Sequence, residues 1–128
     1  MSFTHTLTDT YSDNAGIVVT TTVSKTGSEV VEWDGIIPIS TTNQALQLAF
    51  TTASMQALLI SSTFALTLKT NSSGSPIQTL TLAPNQAITW YTGSANANPI
   101  TTDVTEIFIT NASGTNAPAL KIRVLITP

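Results

Sequence analysis

The stretch DVTEIFITNASGTNAPALKIRVLIT, residues Asp103 to Thr127, decides the fold. Its first part, 104–110, is rich in the β-branched and aromatic residues that favour strands. Small, turn-forming residues fill 111–118. Apolar residues then recur at every second position: Leu120, Ile122, Val124 and Ile126. This period of two gives a strand one apolar face, so the stretch predicts two strands joined by a loop in an all-β core.

Short segments of the same kind make up the rest of the chain. Turn residues separate them at intervals of roughly 8–12 positions, a spacing typical of an antiparallel sandwich or barrel. We therefore predict a single domain over residues 1–128, an antiparallel β-sandwich that is jelly-roll-like and has eight to ten short strands. An immunoglobulin-like sandwich is the alternative. It ranks second because the chain has no cysteine and so lacks the Cys–Trp–Cys core of those domains.

Several local predictions accompany this plan. Lys25–Ser28 is predicted as a turn, and the pair Asp34-Gly35 as a turn or bulge. Thr41–Asn43 is predicted as a loop, followed by a half-buried strand through residues 46–50. The segment 52–61 tolerates a helical turn, but its β-branched and polar surroundings favour a strand.

Two arrangements are open for the strands of the deciding stretch. In a direct hairpin, Ile109 lies opposite Leu120 and Glu106 lies opposite Arg123. In a jelly roll the last two strands belong to different sheets, which separates Glu106 from Arg123. We favour the jelly roll, and the placement of these two charged residues distinguishes the arrangements.

The N-terminal residues 1–11 have one face made almost purely of threonine. The opposite face is mixed: Phe3, His5, Leu7, Asp9 and Tyr11. Because this second face is not plainly a core face, we interpret 1–11 as an N-terminal arm or edge strand that contacts a partner. Phe3 and Leu7 are its candidate contact residues.

Composition limits the class of partner. Charged residues are only 9% of the chain, against about 25% in an ordinary domain, and the formal net charge is −3. With four basic residues the chain lacks the positive surface that nucleic acid or an anionic membrane requires, so we expect neither as a partner. Uncharged polar surfaces are cheaper to desolvate than charged ones, so the composition suits a protein that packs against neighbours. A stable extracellular β domain is the alternative.

The sequence shows neither the pattern of a secretion signal nor a segment long enough to span a membrane. Residues 1–10 lack a basic start and an apolar run, and the apolar run at Leu58–Ile60 is broken by serines. We therefore expect a soluble protein made in a cytoplasm.

Groups capable of catalysis are few. His5 is the only histidine, and it lies on the N-terminal strand that we expect to contact a partner. The chain has no nucleophile-elbow motif that could combine with it in a catalytic triad. Glu32 and Asp34 share one face of a strand, which suits a glycosidase pair or a calcium ligand, but a solvated strand end is the favoured interpretation. We predict no catalytic residues, no metal site and no cofactor, and therefore no enzyme.

Three aromatic residues have two interpretations. Trp33, Trp90 and Tyr91 suit a platform that stacks on sugars, but tryptophans of small β domains more often lie in a core or an interface. Trp90 and Tyr91 are adjacent in a strand, so they point to opposite faces and at most one is a core residue. All three are candidate partner contacts.

Four segments of the second half carry a resemblance: Leu-Thr-Leu-Lys-Thr-Asn at 66–71, 99–110, Asn-Ala-Ser-Gly at 111–114, and Leu-Lys-Ile-Arg-Val-Leu at 120–125. They resemble small structural proteins encoded in the head-gene modules of tailed bacteriophages. The resemblance implies a capsid decoration or cement protein, often jelly-roll-like and often a trimer, located on the capsid surface and bound to the major capsid protein. We therefore expect a non-enzymatic virion protein that stabilises the capsid lattice. The alternative is a carbohydrate- or receptor-binding β module of a virion or tail fibre.

Overall fold

A computed structural model describes all 128 residues and consists mainly of ten strands. In chain order they are β1 (Phe3–Ser12), β2 (Val18–Gly27), β3 (Glu29–Ile36), β4 (Thr41–Leu46), β5 (Met55–Ser62), β6 (Leu66–Thr70), β7 (Thr79–Leu82), β8 (Ile88–Tyr91), β9 (Ile107–Asn111) and β10 (Ala119–Ile126). The helical content is one 3₁₀ turn, Thr52–Ser54, which leads into β5.

Strands β3 to β10 form two antiparallel four-stranded sheets, in the orders β3-β10-β5-β8 and β4-β9-β6-β7. The pairing is nested: β3 pairs with β10, β4 with β9, β5 with β8 and β6 with β7, and successive pairs alternate between the sheets. This is a long hairpin folded over on itself, the arrangement of a jelly roll. The predicted antiparallel sandwich is confirmed, and its strand order differs from that of the immunoglobulin-like alternative.

The last two strands lie in different sheets. Arg123 of β10 pairs in register with Glu32 of β3. Glu106 lies just before β9 in the other sheet, where its Oε1 accepts a hydrogen bond of 2.7 Å from Gln47 Nε2. The jelly-roll arrangement of the deciding stretch is therefore the one found, and the direct hairpin is not.

Strand β10 has a central place in the core. It is hydrogen-bonded to β3 on one side and to β5 on the other. The predicted apolar row of β10 points inward and is buried throughout: Leu120, Ile122, Val124 and Ile126. The opposite sheet contributes buried residues from β6 and β9: Leu66, Leu68, Ile107 and Ile109. The alternation in the sequence thus reports correctly which side chains fill the sandwich.

The turn predicted at Asp34-Gly35 is wrong, because β3 continues through both residues to Ile36. Gly35 pairs with Leu120 as an ordinary strand residue. Its lack of a side chain is explained by Trp33, since a Cβ at Gly35 would lie 2.7 Å from Cη2 of the indole. The glycine makes room for an aromatic ring on the same strand face.

Two further boundaries differ from the prediction. The loop predicted at Thr41–Asn43 is the irregular first half of β4, with Asn43 at a φ of 49° and a register shift before Gln44. The strand predicted through residues 46–50 ends at Leu46, although Phe50 remains buried and forms a single bridge with Val104. The segment 52–61 combines both of its expected forms, a helical turn followed by a strand.

Asn111, predicted as the first loop residue, is instead the fully buried end of β9. Its Nδ2 donates to the carbonyl oxygens of Pro38 at 3.0 Å and Asn116 at 2.8 Å, and its Oδ1 accepts from the amide of Ser113. One amide side chain thereby anchors the loop between β9 and β10.

Replacing a residue of the inward row of β10 tests the core. In Ile122→Asp a carboxylate would be buried with no partner, which costs several kcal/mol and exceeds the stability of many small domains. We expect no cooperative thermal unfolding by circular dichroism. Lys121→Ser, the outward neighbour, is the control and should unfold cooperatively near the wild-type temperature. A folded Ile122→Asp protein would contradict the assigned face.

Candidate functional site: the N-terminal hairpin

Strands β1 and β2 form a two-stranded hairpin separate from both sheets of the sandwich. They pair over ten residues each, from Phe3 opposite Gly27 to Ser12 opposite Val18. Asp13 stabilises the turn between them, since its Oδ1 accepts hydrogen bonds from the amides of Ala15 at 2.9 Å and Ile17 at 3.1 Å. The turn predicted at Lys25–Ser28 is wrong, because β2 extends through Gly27.

The base of the hairpin is fixed to the outer surface of the first sheet. Leu125 and Ala57 are opposite each other in that sheet and are buried, yet they lie outside the sandwich core. A Cβ at Gly27 would come within 2.8 Å of Leu125 Cγ and 2.6 Å of the Ile126 carbonyl oxygen. The amide of Ser28 donates to the same carbonyl oxygen at 3.0 Å. Gly27 therefore allows the backbone of β2 to approach β10 closely.

From this base the hairpin crosses the sheet towards its edge. Gly27 lies against β10, whereas the Nζ of Lys25 lies 5.7 Å from the ring centroid of Tyr91 in the edge strand β8. Beyond this point the apolar residues near the turn are open to solvent: Tyr11 and Val18 are each 64% exposed and Val19 is 55% exposed. The distal part of the hairpin is therefore an exposed arm.

The surface of the hairpin that faces away from the sandwich, here called the hydroxyl face, carries no charge. Its residues are Thr4, Thr6, Thr8, Thr10 and Ser12 on β1 and Val18, Thr20, Thr22, Ser24 and Thr26 on β2, all exposed. Hydroxyls pair across the strands at 3.0 Å for Thr6–Ser24 and 3.4 Å for Thr8–Thr22. The threonine face expected from residues 1–11 is thus extended by a second row of mostly hydroxyl-bearing residues on β2.

The other surface of the hairpin covers a cleft. Its volume is about 470 Å³, and its walls include Leu7 and His5 of β1 and Leu59, Thr89 and Arg123 of the sheet below. Strand β1 pairs with β2 and with no strand of the sandwich, so its second edge has no backbone partner. The segment 1–11 is therefore one strand of a hairpin arm, and not an edge strand of the sandwich. Its contact with a partner remains a prediction.

Arg123 on the outer face of the first sheet binds both carboxylates that sequence reasoning had singled out. Its Nε lies 3.3 Å from Glu32 Oε2, its Nη1 donates to Asp34 Oδ1 at 3.1 Å, and its Nη2 contacts Asp34 Oδ2. The hydrogen bond from Arg123 lowers the pKa of Asp34, and the same contact raises the pKa of Arg123. A glycosidase needs one protonated carboxylic acid, so Asp34 held as a carboxylate fits an ion pair better than that chemistry.

The three aromatic candidates do not come together. Trp33 pairs with Ile122 and Trp90 pairs with Leu58, so both indoles lie on the inner face and pack against the core. They belong to the two edge strands, three strand spacings or about 14 Å apart. Tyr91 points to the outer face beneath Lys25. Trp90 and Tyr91 thus occupy opposite faces, as predicted, and the three residues form no common platform.

The N-terminal candidates Phe3 and Leu7 lie near the base and in the middle of β1, and Phe3 is 37% exposed. The sequence reasoning missed the part played by β2. The Thr-rich segment 20–26 was a signal for it, since its alternate positions match the threonines of β1. No group of three or more His, Asp or Glu side chains is placed to hold a metal ion, and no helix has the length and apolar character to cross a membrane.

Comparison with protein-family models, with curated proteins and with solved structures gave no match. No relative therefore contributes to the function proposed below.

The attachment of the hairpin can be tested at Gly27. In Gly27→Ala the new methyl group meets the Ile126 carbonyl and Leu125, so the strand must shift, and we expect a loss of roughly 1–3 kcal/mol in the free energy of unfolding. Urea denaturation measures this loss. Gly74→Ala is the matched control, because a Cβ there meets no atom within 4 Å. Equal stability of the two variants would contradict the close approach.

The ion pair at Arg123 predicts a pH dependence. The pKa of Asp34 is lowered in the folded protein, so its contribution to stability is present above the ordinary value of 3.8 and is lost as the pH falls below it. Asp34→Asn should therefore be slightly less stable than wild type at neutral pH, and the difference should shrink in acid. The effect is small because the pair is exposed. Glu29→Gln is the control, since Glu29 forms no salt bridge. A difference that grows in acid would refute the assignment.

Proposed function

We propose that this protein is a non-enzymatic structural protein of a virion, which binds the outer surface of a capsid and stabilises its lattice. The observation that carries the proposal is the N-terminal hairpin, an arm with a free strand edge and a charge-free hydroxyl face, fixed at its base to a jelly-roll sandwich. This arm has the properties of a surface that becomes buried against another protein.

The low stability expected of an isolated two-stranded hairpin supports this interpretation. A two-stranded ribbon is marginally stable in water, and long unprotected edges are a liability that soluble proteins usually guard with proline or lysine. Strand β1 contains neither residue along its ten positions. A partner that pairs with the edge would remove both problems.

The hydroxyl face supports the same interpretation by its chemistry. Threonine and serine hydroxyls both donate and accept hydrogen bonds, and they cost less to desolvate than charged groups. Strand addition obtains its affinity from backbone hydrogen bonds and demands little of side chains. The expected partner is the major capsid protein, and the expected location is the capsid surface after synthesis in the host cytoplasm. Jelly rolls occur in viral capsids and also in lectins, so the fold is compatible with this role without deciding it.

The carbohydrate- or receptor-binding alternative has less support. It relied on Trp33, Trp90 and Tyr91 acting together, and these residues lie on different faces and on opposite edges of one sheet.

The proposal is tested with purified protein and expanded capsids that lack it. We expect the protein to sediment with the capsids and to raise the temperature at which they fall apart. A protein that stays in the supernatant and leaves that temperature unchanged would refute the proposal.

The role of the arm is tested by removing residues 1–8. Because β1 pairs with β2 alone, this deletion breaks no ladder of the sandwich, so we expect capsid binding to fall far more than the melting temperature. Thr22→Glu, which charges the hydroxyl face, should weaken binding in the same direction. Thr81→Glu is the matched control on an exposed position of β7. Parallel losses of binding and folding would show that the segment is ordinary core.

A further inference from the structure

The sequence of β1 is nearly symmetric about its centre. Residues 3–11 are Phe-Thr-His-Thr-Leu-Thr-Asp-Thr-Tyr, with Leu7 in the middle. Going outward from Leu7, the positions on either side match in kind: two threonines, then a basic and an acidic residue, two more threonines, and finally two aromatic residues. A strand of this composition is complementary to a second copy of itself in the antiparallel direction.

The pairing across a two-fold axis at Leu7 can be written out. Leu7 would face Leu7 of the second copy, and His5 would face Asp9. Phe3 would face Tyr11, and the threonines between them would face threonines. Cross-strand pairs of aromatic rings, of hydroxyls, and of a hydrogen-bond donor with a carboxylate stabilise adjacent strands. Each heterotypic pair occurs twice because the axis repeats it.

Neighbouring registers lose this complementarity. Moving the axis by one residue to Thr6 or Thr8 sets Asp9 against Phe3 or Leu7, and His5 against Leu7 or Tyr11. An axis that passes between two residues pairs apolar residues with threonines. The hydroxyl face of one copy then lies on the same side of the ribbon as the inner face of the other copy. The side-chain pattern therefore selects a single register, as it does within ordinary sheets.

The structure leaves the imidazole of His5 and the carboxylate of Asp9 without a salt-bridge partner in their own chain. Across the hairpin, His5 is opposite Lys25 and Asp9 is opposite Thr21. Neither residue takes part in a salt bridge, since both bridges of the protein belong to Arg123. In the register centred on Leu7, the carboxylate of Asp9 lies opposite the imidazole of the other copy's His5, from which it can accept a hydrogen bond.

The placement of the hairpin also permits this pairing. The sandwich contacts β2 at the base of the hairpin, and the second edge of β1 is unpaired. A two-fold axis perpendicular to the ribbon puts both sandwiches on the same side of it, and the base of each hairpin lies next to the turn of the other. The exposed ring of Tyr11 then lies beside Phe3 of the other copy, which covers part of the apolar tip.

We infer that two copies of this chain form a symmetric dimer by antiparallel pairing of β1 with β1, giving a continuous four-stranded ribbon β2-β1-β1-β2 centred on Leu7. The dimer would occupy the free edge of β1 and leave the hydroxyl face exposed, so the assembly role proposed above would then act through that face. The dimer concerns the free protein and is tested without capsids. The two can therefore fail separately. The contact is isologous and closes as a dimer, whereas the phage resemblance implies a trimer.

Cysteine cross-linking is the most direct test, because the chain contains no cysteine of its own. Directly opposed residues of antiparallel strands have Cα atoms about 4.5–5.5 Å apart, within the range a disulfide spans. We expect oxidised Leu7→Cys to run as a covalent dimer. Val23→Cys is the matched control: it lies opposite Leu7 within the hairpin but away from the free edge of β1, and should stay uncross-linked.

A charge exchange tests the register, with the dissociation constant measured by analytical ultracentrifugation across a concentration series. His5→Asp places two carboxylates opposite each other twice, and Asp9→Lys removes twice the carboxylate that lies opposite the imidazole, so each should raise the constant by about tenfold. The double variant creates an opposite-charge pair at the same two positions and should return the constant towards wild type. Thr21→Lys, on β2, is the control for added charge. A monomer throughout the series, a trimer, equal cross-linking of both cysteine variants, or no rescue would each overturn the inference.

Discussion

Strand β10 is the constraint on which the rest of the structure depends. It is paired on both edges, with β3 and with β5, and its inward row lies at the centre of the sandwich. Its outward residues have different tasks: Leu125 supports the base of the hairpin, and Arg123 binds the carboxylates of β3. One strand thus connects the core, an ion pair and the arm.

The order of the chain makes this constraint a long-range one. Glu29 and Ile126, the first and last residues of the main sandwich, are partners in the ladder between β3 and β10. The jelly roll cannot close until its first strand, β3, and its last strand, β10, are paired, and contacts so distant in sequence make folding slow. The hairpin contributes to neither sheet, although β2 leads directly into β3 and is held by Leu125. The arm is therefore set in position only when the last strand docks.

Much of the fold followed from the period-two pattern, because a half-buried strand records its orientation in alternate residues. The inward row of β10 is an example. The separation of Glu106 from Arg123 followed instead from the number and spacing of the strands, which favoured a jelly roll, because the alternation alone also fits a direct hairpin. The errors arose where tertiary contacts override local preference. Asp34-Gly35 looks like a turn, but the indole of Trp33 needs the space that the glycine leaves. Asn111 looks like a loop residue, but one of the two carbonyls it binds belongs to Pro38, 73 positions away.

The features of the candidate site that lie within one strand could be predicted from the sequence, but those that depend on strand pairing could not. The threonine face of residues 1–11 is visible in one strand, whereas the matching row of β2 appears only once the ladder is known. Similarly, the shared face of Glu32 and Asp34 was visible, but their common partner Arg123 depends on the sheet order. The alternation within a strand specifies which side chains share a face. The order of strands in the sheet specifies which neighbouring residues those side chains contact.

Different parts of the hairpin contribute to folding and to the proposed contact with a partner. At its base, Gly27 and Leu125 are buried and make close contact, so substitutions there change the stability and the position of the arm together. Along the hydroxyl face the side chains are exposed and point away from the sandwich. Substitutions at these positions act mainly on whatever pairs with the arm. Because the base fixes one end of the ribbon to the sheet, a partner strand needs to supply less of the free energy that orders the edge than it would for an unattached ribbon.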